Sequence, residues 1–498
     1  MSAEAGVPTA RRLGRAPAAL FLTLRGRVVR RLGWGVADQA VSSLTNVAVT
    51  LSVARTLGAE QFGAFSLAYV TYAFALTASR GLATDPLIVR FSSADLPTWR
   101  RAIVGSTGTA AVVGMTTGAC VLAVAALTQG TIRHAFLALG LMLPGLLLQD
   151  SWRYAFFTVG RGAQAFLNDV VWALALLPAL MLVWVTGQND VFWFIFAWGA
   201  AANVAAAAGS LQAQVLPRLS AVREWLSQHR DLGLRYLAEG TTVSVANQMR
   251  TYGVGLMLGL AAVGYVQAAY TLMGPLMIML FGTVAVIVPE IARVLRRSPR
   301  RLPLACLAYG GSLAAIALAW GVVLLVVLPK GLGDLLLGEV WRPAYPLVPL
   351  VALAFMGGSI QAGAGAGLRA LGAARRSLRA MILSSVAFVV FGLVGAAVGG
   401  TVGTVLGAAV AAWIGALLWW WQLHSALHES VEVPAYTQNP SRRPPGRHRR
   451  PTAQVNFRQG SVRSIRSIRQ RPDAFGRSPP KPSRPTVTLT PSAKADAQ

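Results

Sequence analysis

The sequence predicts an all-α polytopic membrane protein, with about twelve transmembrane helices in two parallel-repeat six-helix lobes around a central cavity. Three observations carry this. The chain is 54% hydrophobic and only 13% charged, with a mean hydropathy of +0.53. That is more apolar sequence than a soluble chain of 498 residues needs. Residues 102–132 and 380–428 contain no Asp, Glu, Lys or Arg. Finally, residues 43–70 recur 201 positions later as 244–271, with nine of 28 pairs identical: Ser43/Ser244, Asn46/Asn247, Thr50/Thr251, Val53/Val254, Leu57/Leu258, Gly58/Gly259, Gly63/Gly264, Ala68/Ala269 and Tyr69/Tyr270. A duplicated membrane half marks a secondary transporter, whose substrate path lies between the halves.

The spans follow from apolar runs of ~20 residues. Spans one (36–57) and two (64–87) are the two helices of the first repeat copy, separated by a turn containing Gly58. Span three (102–127) is the first charge-free run. Spans four (134–156) and five (165–186) flank a polar segment at Arg161, and span six (191–212) follows Gly187–Asp190. Spans seven (236–259) and eight (263–288) are the second copy, and spans nine (303–328) and ten (344–367) follow. Spans eleven (380–397) and twelve (401–423) share the second charge-free run, joined by the Gly-rich hairpin GAAVGG. Pro144, Pro178 and Pro275 lie within spans and predict kinks.

Arginine placement orients these spans. With the N-terminus inside, the inner loops hold Arg90, Arg100, Arg101, Arg153, Arg161, Arg218, Arg223, Arg230, Arg235, Arg293, Arg296, Arg297, Arg300, Arg301, Arg369, Arg375, Arg376 and Arg379. The outer side holds Arg55, Arg133, Lys330 and Arg342. The positive-inside rule then puts both termini in the cytoplasm. Six spans separate the repeat starts, an even number, so both copies enter the membrane in the same direction. The expected division is a basic N-terminal segment 1–35, an N-lobe 36–212, a cytoplasmic linker 213–235, a C-lobe 236–428 and a tail 429–498. The tail holds 14 Lys and Arg and 11 Pro, a composition expected to be disordered.

The net charge of +27 sits largely in loops and tails, so it gives no nucleic-acid signal. Cys120 and Cys306 each fall inside a span and form neither a disulfide framework nor a metal spacing. No phosphate-binding G-x-x-x-x-G-K-[ST] run exists, nor an HExxH motif or a Cys/His set. No ATP-driven pump, enzyme or cofactor is therefore expected.

Charges inside spans each cost about 2.5–3.5 kcal/mol at the membrane centre, so each asks for a reason. Asp38, Arg80, Asp85, Arg90, Asp150, Arg153, Asp169, Glu239, Glu290 and Arg369 fall toward the inner third. Ion pairing between helices accounts for Asp38, Arg90, Asp150, Arg153, Asp169 and Arg369. Arg80 and Asp85 are five apart, so each faces another helix or the cavity. Arg250 lies past the midplane of span seven with no acid nearby in sequence. A guanidinium in a wet cavity suits a diphosphate, which makes Arg80 and Arg250 substrate-binding candidates. Asn46 and Asn247 occupy equivalent places near the membrane centre; they fit interhelical hydrogen bonding or a cavity lining. Asp38, Asp85 and Glu239 are candidates for H⁺ or Na⁺ coupling.

VSSLTNVAVTLSVARTLGAEQFGAFSLAY, with RGLATDPLIVR after it, resembles the start of the Wzx-like O-antigen/polysaccharide flippases. These belong to the multidrug/oligosaccharidyl-lipid/polysaccharide exporter superfamily. The most family-like piece is the AR-x-LG-x-x-x-FG turn at residues 54–63. DSWRYAFFTVGRGAQAFLNDVVWA is similar to polysaccharide-biosynthesis membrane proteins, and GPLMIMLFGTVAVIVPEIAR and LLLGEVWRPAYPLVPLVAL add weaker matches. Together these cover roughly residues 34–425. The resemblance implies twelve helices, alternating access and movement of an undecaprenyl-diphosphate-linked oligosaccharide to the outer leaflet. A polysaccharide polymerase and chain-length machinery are the implied partners, beside membrane lipid. No family motif fixes Arg80 or Arg250 as a binding residue. The lipid II flippase branch usually has fourteen helices, against twelve here. Two other readings stand beside the flippase: an ion-coupled small-molecule (multidrug-type) antiporter, and a membrane glycosyltransferase or polysaccharide polymerase.

Overall fold

The computed structural model describes residues 16–328 and 331–432, without the side chains of 16–32, 239, 277–286 and 430–432. Every regular element among them is helical. The N-terminal half comprises α1 (Ala16–Ser79), a π-helical turn (Arg80–Thr84), α2 (Asp85–Phe91), α3 (Leu96–Leu127), α4 (Gly130–Thr158), α5 (Gly162–Val185) and α6 (Val191–Ala213). The second half comprises α7 (Val222–Leu258), α8 (Leu260–Leu272), α9 (Gly274–Arg297), α10 (Leu302–Val327), α11 (Leu332–Leu337), α12 (Trp341–Ala344), α13 (Val348–Ala370) and α14 (Ala374–Glu432).

Eight of these helical stretches are long and apolar enough to cross a membrane, among them Gly33–Phe91 and Ala374–Glu429. Those two are double. α1 breaks at Gly58 and α14 at Gly399–Gly400. In α14 the arms fold back on each other: a Cβ on Gly395 would meet the Gly403 carbonyl oxygen, and one on Gly407 the Phe391 oxygen. Counting each arm, and adding α7 and the α8–α9 pair, recovers the twelve expected spans. The expected Pro275 kink is a full break, with α8 ending at Leu272 and Pro275 sitting in the first turn of α9, where its missing N–H costs nothing. α4 and α5 run through Pro144 and Pro178 as single helices. α7 starts at Val222, inside the expected linker, and runs on unbroken as span seven. Residues 1–15 of the expected N-terminal segment and 433–498 of the expected disordered tail lie outside the described residues.

The internal repeat has a backbone counterpart. Gly58 has φ 72°, ψ 178°, and its equivalent Gly259 has φ 83°, ψ 173°. This region of backbone space is open essentially to glycine alone. The same residue therefore makes the same break at the same place in both halves. Two further hydroxyls repeat the pattern, since Thr50 donates to the Asn46 carbonyl (2.7 Å) and Thr251 to the Asn247 carbonyl (2.8 Å).

Indole N–H groups tie neighbouring helices together within each half. Trp99 of α3 donates its indole N–H to Ala155 O of α4, and Trp172 of α5 to Trp198 O of α6. In the second half Trp413 and Trp420 of α14 donate to Leu353 O and Ile360 O of α13. Outward faces stay apolar: Val386, Val390, Val394 and Val398 of α14, four apart, are each about half exposed or more. Such a stripe is unfavourable in water and ordinary against lipid.

Candidate functional site

The polar groups predicted to be costly converge in the first half. Asp38 of α1 is fully buried and accepts from Arg153 Nε of α4 at 2.5 Å. Arg153 Nη2 donates to Gln39 Oε1 at 3.0 Å, and its Nε lies 3.4 Å from Asp169 Oδ2 of α5. Gln149 of α4 donates to Asp169 Oδ1 (2.7 Å) and Asn168 Oδ1 (3.2 Å), and the Asn168 amide donates to Ala205 O of α6 (2.8 Å). Beside this set Arg80 grips Asp150 with two bonds, Nε to Oδ2 at 2.9 Å and Nη2 to Oδ1 at 2.7 Å. Its guanidinium lies over the Tyr154 ring, 4.8 Å from the centroid. The cluster holds three carboxylates, Asp38, Asp150 and Asp169, against two guanidiniums, Arg80 and Arg153. Carboxylates outnumber guanidiniums by one, and Asp38 Oδ1 is buried with no hydrogen-bond partner.

Arg80 reaches Asp150 from the widened turn. Pro86 has no N–H to offer the carbonyl of Leu82, four residues before it. That carbonyl instead accepts from Trp225 Nε1 of α7 at 3.1 Å, and Ser106 of α3 donates to Ala83 O at 3.0 Å. The Asp85 N–H returns to Arg80 O, five residues back, which defines the π turn. The sequence spacing of five between Arg80 and Asp85 is therefore one π-helical turn. Asp85 itself is half-buried at the start of α2.

The same turn belongs to a seam between the halves. Arg90 pairs with Asp231 (2.7 Å) and donates to Gln228 O, a Cβ on Gly81 would meet the Leu237 backbone at 2.8 Å, Thr77 Oγ1 lies 3.0 Å from Ser244 Oγ, and Thr71 bonds Tyr252. Position falls on the second arm of α1 as it rises on α7, so the two run antiparallel from the arginine-rich end inward. Toward the opposite end the halves touch again where a Cβ on Gly63 would meet Leu260 O and one on Gly264 would meet Ala59 O.

Arg250 of α7 is remote from that cluster in chemistry. Its residue is 5% exposed, its guanidinium lies 4.6 Å from the Phe388 centroid and 5.4 Å from that of Tyr270, and its Nε has no partner. Aromatic faces hold such a cation by about 2 kcal/mol when it is desolvated. No ion pair neutralises it among the described residues. The structure thus separates the two arginine candidates: Arg80 is carboxylate-bound, Arg250 is caged by rings.

Of the other candidates, Asn46 is half-buried and donates to Ser42 O at 2.9 Å, leaving Oδ1 unpartnered, and Asn247 is half-buried at the equivalent place. The side chain of Glu239 lies outside the described residues. Sequence reasoning missed Gln149 and Asn168 as members of the acid cluster. The signal was present in the adjacent polar pairs Gln149–Asp150 and Asn168–Asp169, each within an apolar span. It also missed a hollow of about 180 Å³ in the second half, lined by Tyr309, Gln361, Arg369 and Trp419 among others. The indole N–H of Trp419 is buried there without a partner.

Comparison with known proteins places this fold. No family model and no curated protein sequence matches the chain. Solved structures do. An inward-facing multidrug resistance MATE family transporter of the MOP superfamily aligns over 80% of this chain and 99% of its own, at TM-score 0.63 and 15% identity. The lipid II flippase MurJ, in an inward closed conformation, aligns over 80% of this chain and 90% of its own, at TM-score 0.58 and 10% identity. A MOP superfamily transporter from Pyrococcus furiosus, described as having a binding pocket of reverse polarity, aligns over 81% of this chain and 96% of its own, at TM-score 0.52 and 18% identity. The chain has the fold of a multi-pass MOP-superfamily transporter. Its repeated helical halves and membrane-embedded charges are set on that scaffold.

Proposed function

We propose that the chain is a bacterial plasma-membrane flippase, with both termini cytoplasmic, and not an enzyme. It moves an undecaprenyl-diphosphate-linked oligosaccharide between leaflets by alternating access of its two halves. The observation that carries this reading is Arg250. A guanidinium buried past the midplane of its span, held by Phe388 and Tyr270 and lacking any carboxylate among the described residues, is a standing cost of several kcal/mol unless an anion uses it. A lipid diphosphate is such an anion, and the guanidinium fork matches its oxygens. The hollow of about 180 Å³ lined by Trp419, Gln361 and Arg369 has room for a single sugar unit of such a cargo, and an aromatic face beside amide and guanidinium donors suits one. A polysaccharide polymerase and chain-length machinery would receive that cargo.

A second reading rests on a different observation. The N-terminal cluster holds one carboxylate more than it holds guanidiniums, and Asp38 Oδ1 is unpartnered. That excess suits binding of H⁺ or Na⁺, with Asp38 as the acceptor and Asp85 or Glu239 as further candidates. It serves a coupled flippase or a multidrug-type antiporter equally. The test deletes the gene and measures undecaprenyl-diphosphate-linked oligosaccharide in extracted lipids by mass spectrometry. Accumulation reversed by the wild type but not by Arg250→Gln is the expected result. Intact surface glycan with no accumulation overturns the flippase reading; dye efflux abolished by Asp38→Asn would then establish the antiporter.

A further inference from the structure

We propose that the hollow at the arginine-rich end of α9 is a phosphate-binding site for a phosphate or diphosphate group. It is an open hollow of about 270 Å³ lined by Glu290, Arg293, Val294, Arg297, Ser298 and Arg301. The first four recur at i, i+3, i+4 and i+7, so they share one face of the helix. The chain then turns back on itself: Ser298 N–H donates to Val294 O at 2.8 Å and Arg301 N–H to Ser298 O at 2.9 Å. Arg301, at the end of the 3-10 turn Pro299–Arg301 that leads into α10, is the third guanidinium lining the hollow.

The charge balance is one-sided. Glu290 is bonded to Arg293, and neither Arg297 nor Arg301 has an ion pair among the described residues. Three guanidiniums against one carboxylate leave the lining at a net charge of +2. Arginine at a helix C-terminus ordinarily offsets the dipole, which takes one or two such residues worth about 0.3–1 kcal/mol each. Neither the dipole nor the positive-inside rule requires three guanidiniums to line one hollow. Forked N–H donors match phosphate oxygens in pairs, which ammonium groups do not. At 270 Å³ the hollow is smaller than the ~300 Å³ at which drug-sized sites begin, so it takes a headgroup and not a sugar chain. It lies at a span end, at the depth of lipid phosphates if the twelve helices cross the bilayer. This assignment does not depend on which cargo the protein moves.

Two probes separate the sources of such a group. The full chain is purified in detergent and titrated with phosphatidylglycerol against phosphatidylcholine by native mass spectrometry, and with inorganic pyrophosphate by calorimetry. The test variant is Arg293→Gln/Arg297→Gln/Arg301→Gln. The control, Arg218→Gln/Arg223→Gln/Arg230→Gln, removes the same charge from the same end outside the hollow. All six side chains are open to solvent, so folding is retained in both and checked by size exclusion. Roughly tenfold or greater loss of affinity in the test variant alone is expected, at near 1 kcal/mol per arginine at a charged surface. Loss with phosphatidylglycerol identifies a lipid headgroup, and loss with pyrophosphate a free anion. Equal loss in the control, or no binding of either probe by the wild type, overturns the proposal.

Discussion

Gly63 and Gly264, equivalent positions of the two repeat copies, meet across the boundary between the halves. A Cβ on Gly264 would lie 2.4 Å from Ala59 O and 3.2 Å from Gly63 N, while one on Gly63 would lie 1.9 Å from Leu260 O. Because Ala59 and Leu260 are themselves equivalent by the 201-residue offset, the contact is two-fold symmetric.

Gly63→Ala or Gly264→Ala is therefore expected to force backbone from backbone, at about 1–3 kcal/mol. Gly311→Ala is the control, since its Cβ would meet nothing within 4 Å. Thermal unfolding in detergent should show a lowered Tm for the first two and none for the third.

The paired breaks fail for a different reason. Cβ atoms on Gly58 and Gly259 would meet nothing within 4 Å, so alanine there is penalised by φ and ψ alone. Each substitution should cost about 1–3 kcal/mol. The two should lower Tm by similar amounts and nearly additively in the double variant. A silent Gly259→Ala would show that the backbone there relaxes freely.

Arg153 stands between two buried acids. Its side chain is 10% exposed, and those of Asp38 and Asp169 are 0% and 1%. Arg153→Met leaves both unneutralised and should destabilise by about 3–5 kcal/mol. Adding Asp38→Asn should return part of that loss. A double-mutant cycle on unfolding midpoints measures the coupling, and simple additivity would mean the pair does not interact as its geometry requires.

The seam gives a test of alternating access. Thr77→Cys with Ser244→Cys, in a background lacking Cys120 and Cys306, should oxidise readily because the native oxygens are 3.0 Å apart. On the proposed flippase function, export measured by surface glycan should stop on oxidation and resume with reductant. Transport that continues through a fully formed cross-link would mean that the halves do not part there.

Much of this fold could be read from the chain. Apolar runs of span length and alternating arginine placement lay out the helices, and Gly58/Gly259 and Pro275 mark real breaks. What escaped reading depends on distant partners. The π turn at Arg80–Thr84 needs Trp225, 143 residues after Leu82, to donate to the carbonyl that Pro86 abandons. The Asp38–Arg153 pair spans 115 residues, and the Phe388 ring facing Arg250 belongs to a helix four spans later. Local pattern shows that a buried charge must have a partner and leaves open which helix supplies it. Arg80 and Arg250 were alike in sequence for that reason, and differ in the fold because one meets Asp150 and the other meets only rings.

The carbonyl of Leu82 has a consequence for how the molecule opens. Its usual donor four residues on is Pro86, which has no N–H, and Trp225, which donates instead, sits on the other half of the seam. Any movement that parts the second arm of α1 from α7 strips that donor away, and a carbonyl left unsatisfied costs about 1–3 kcal/mol. Only solvent can replace the indole N–H at that moment. Parting of the seam and wetting of the gap are thus a single event, and the opened state is a hydrated one.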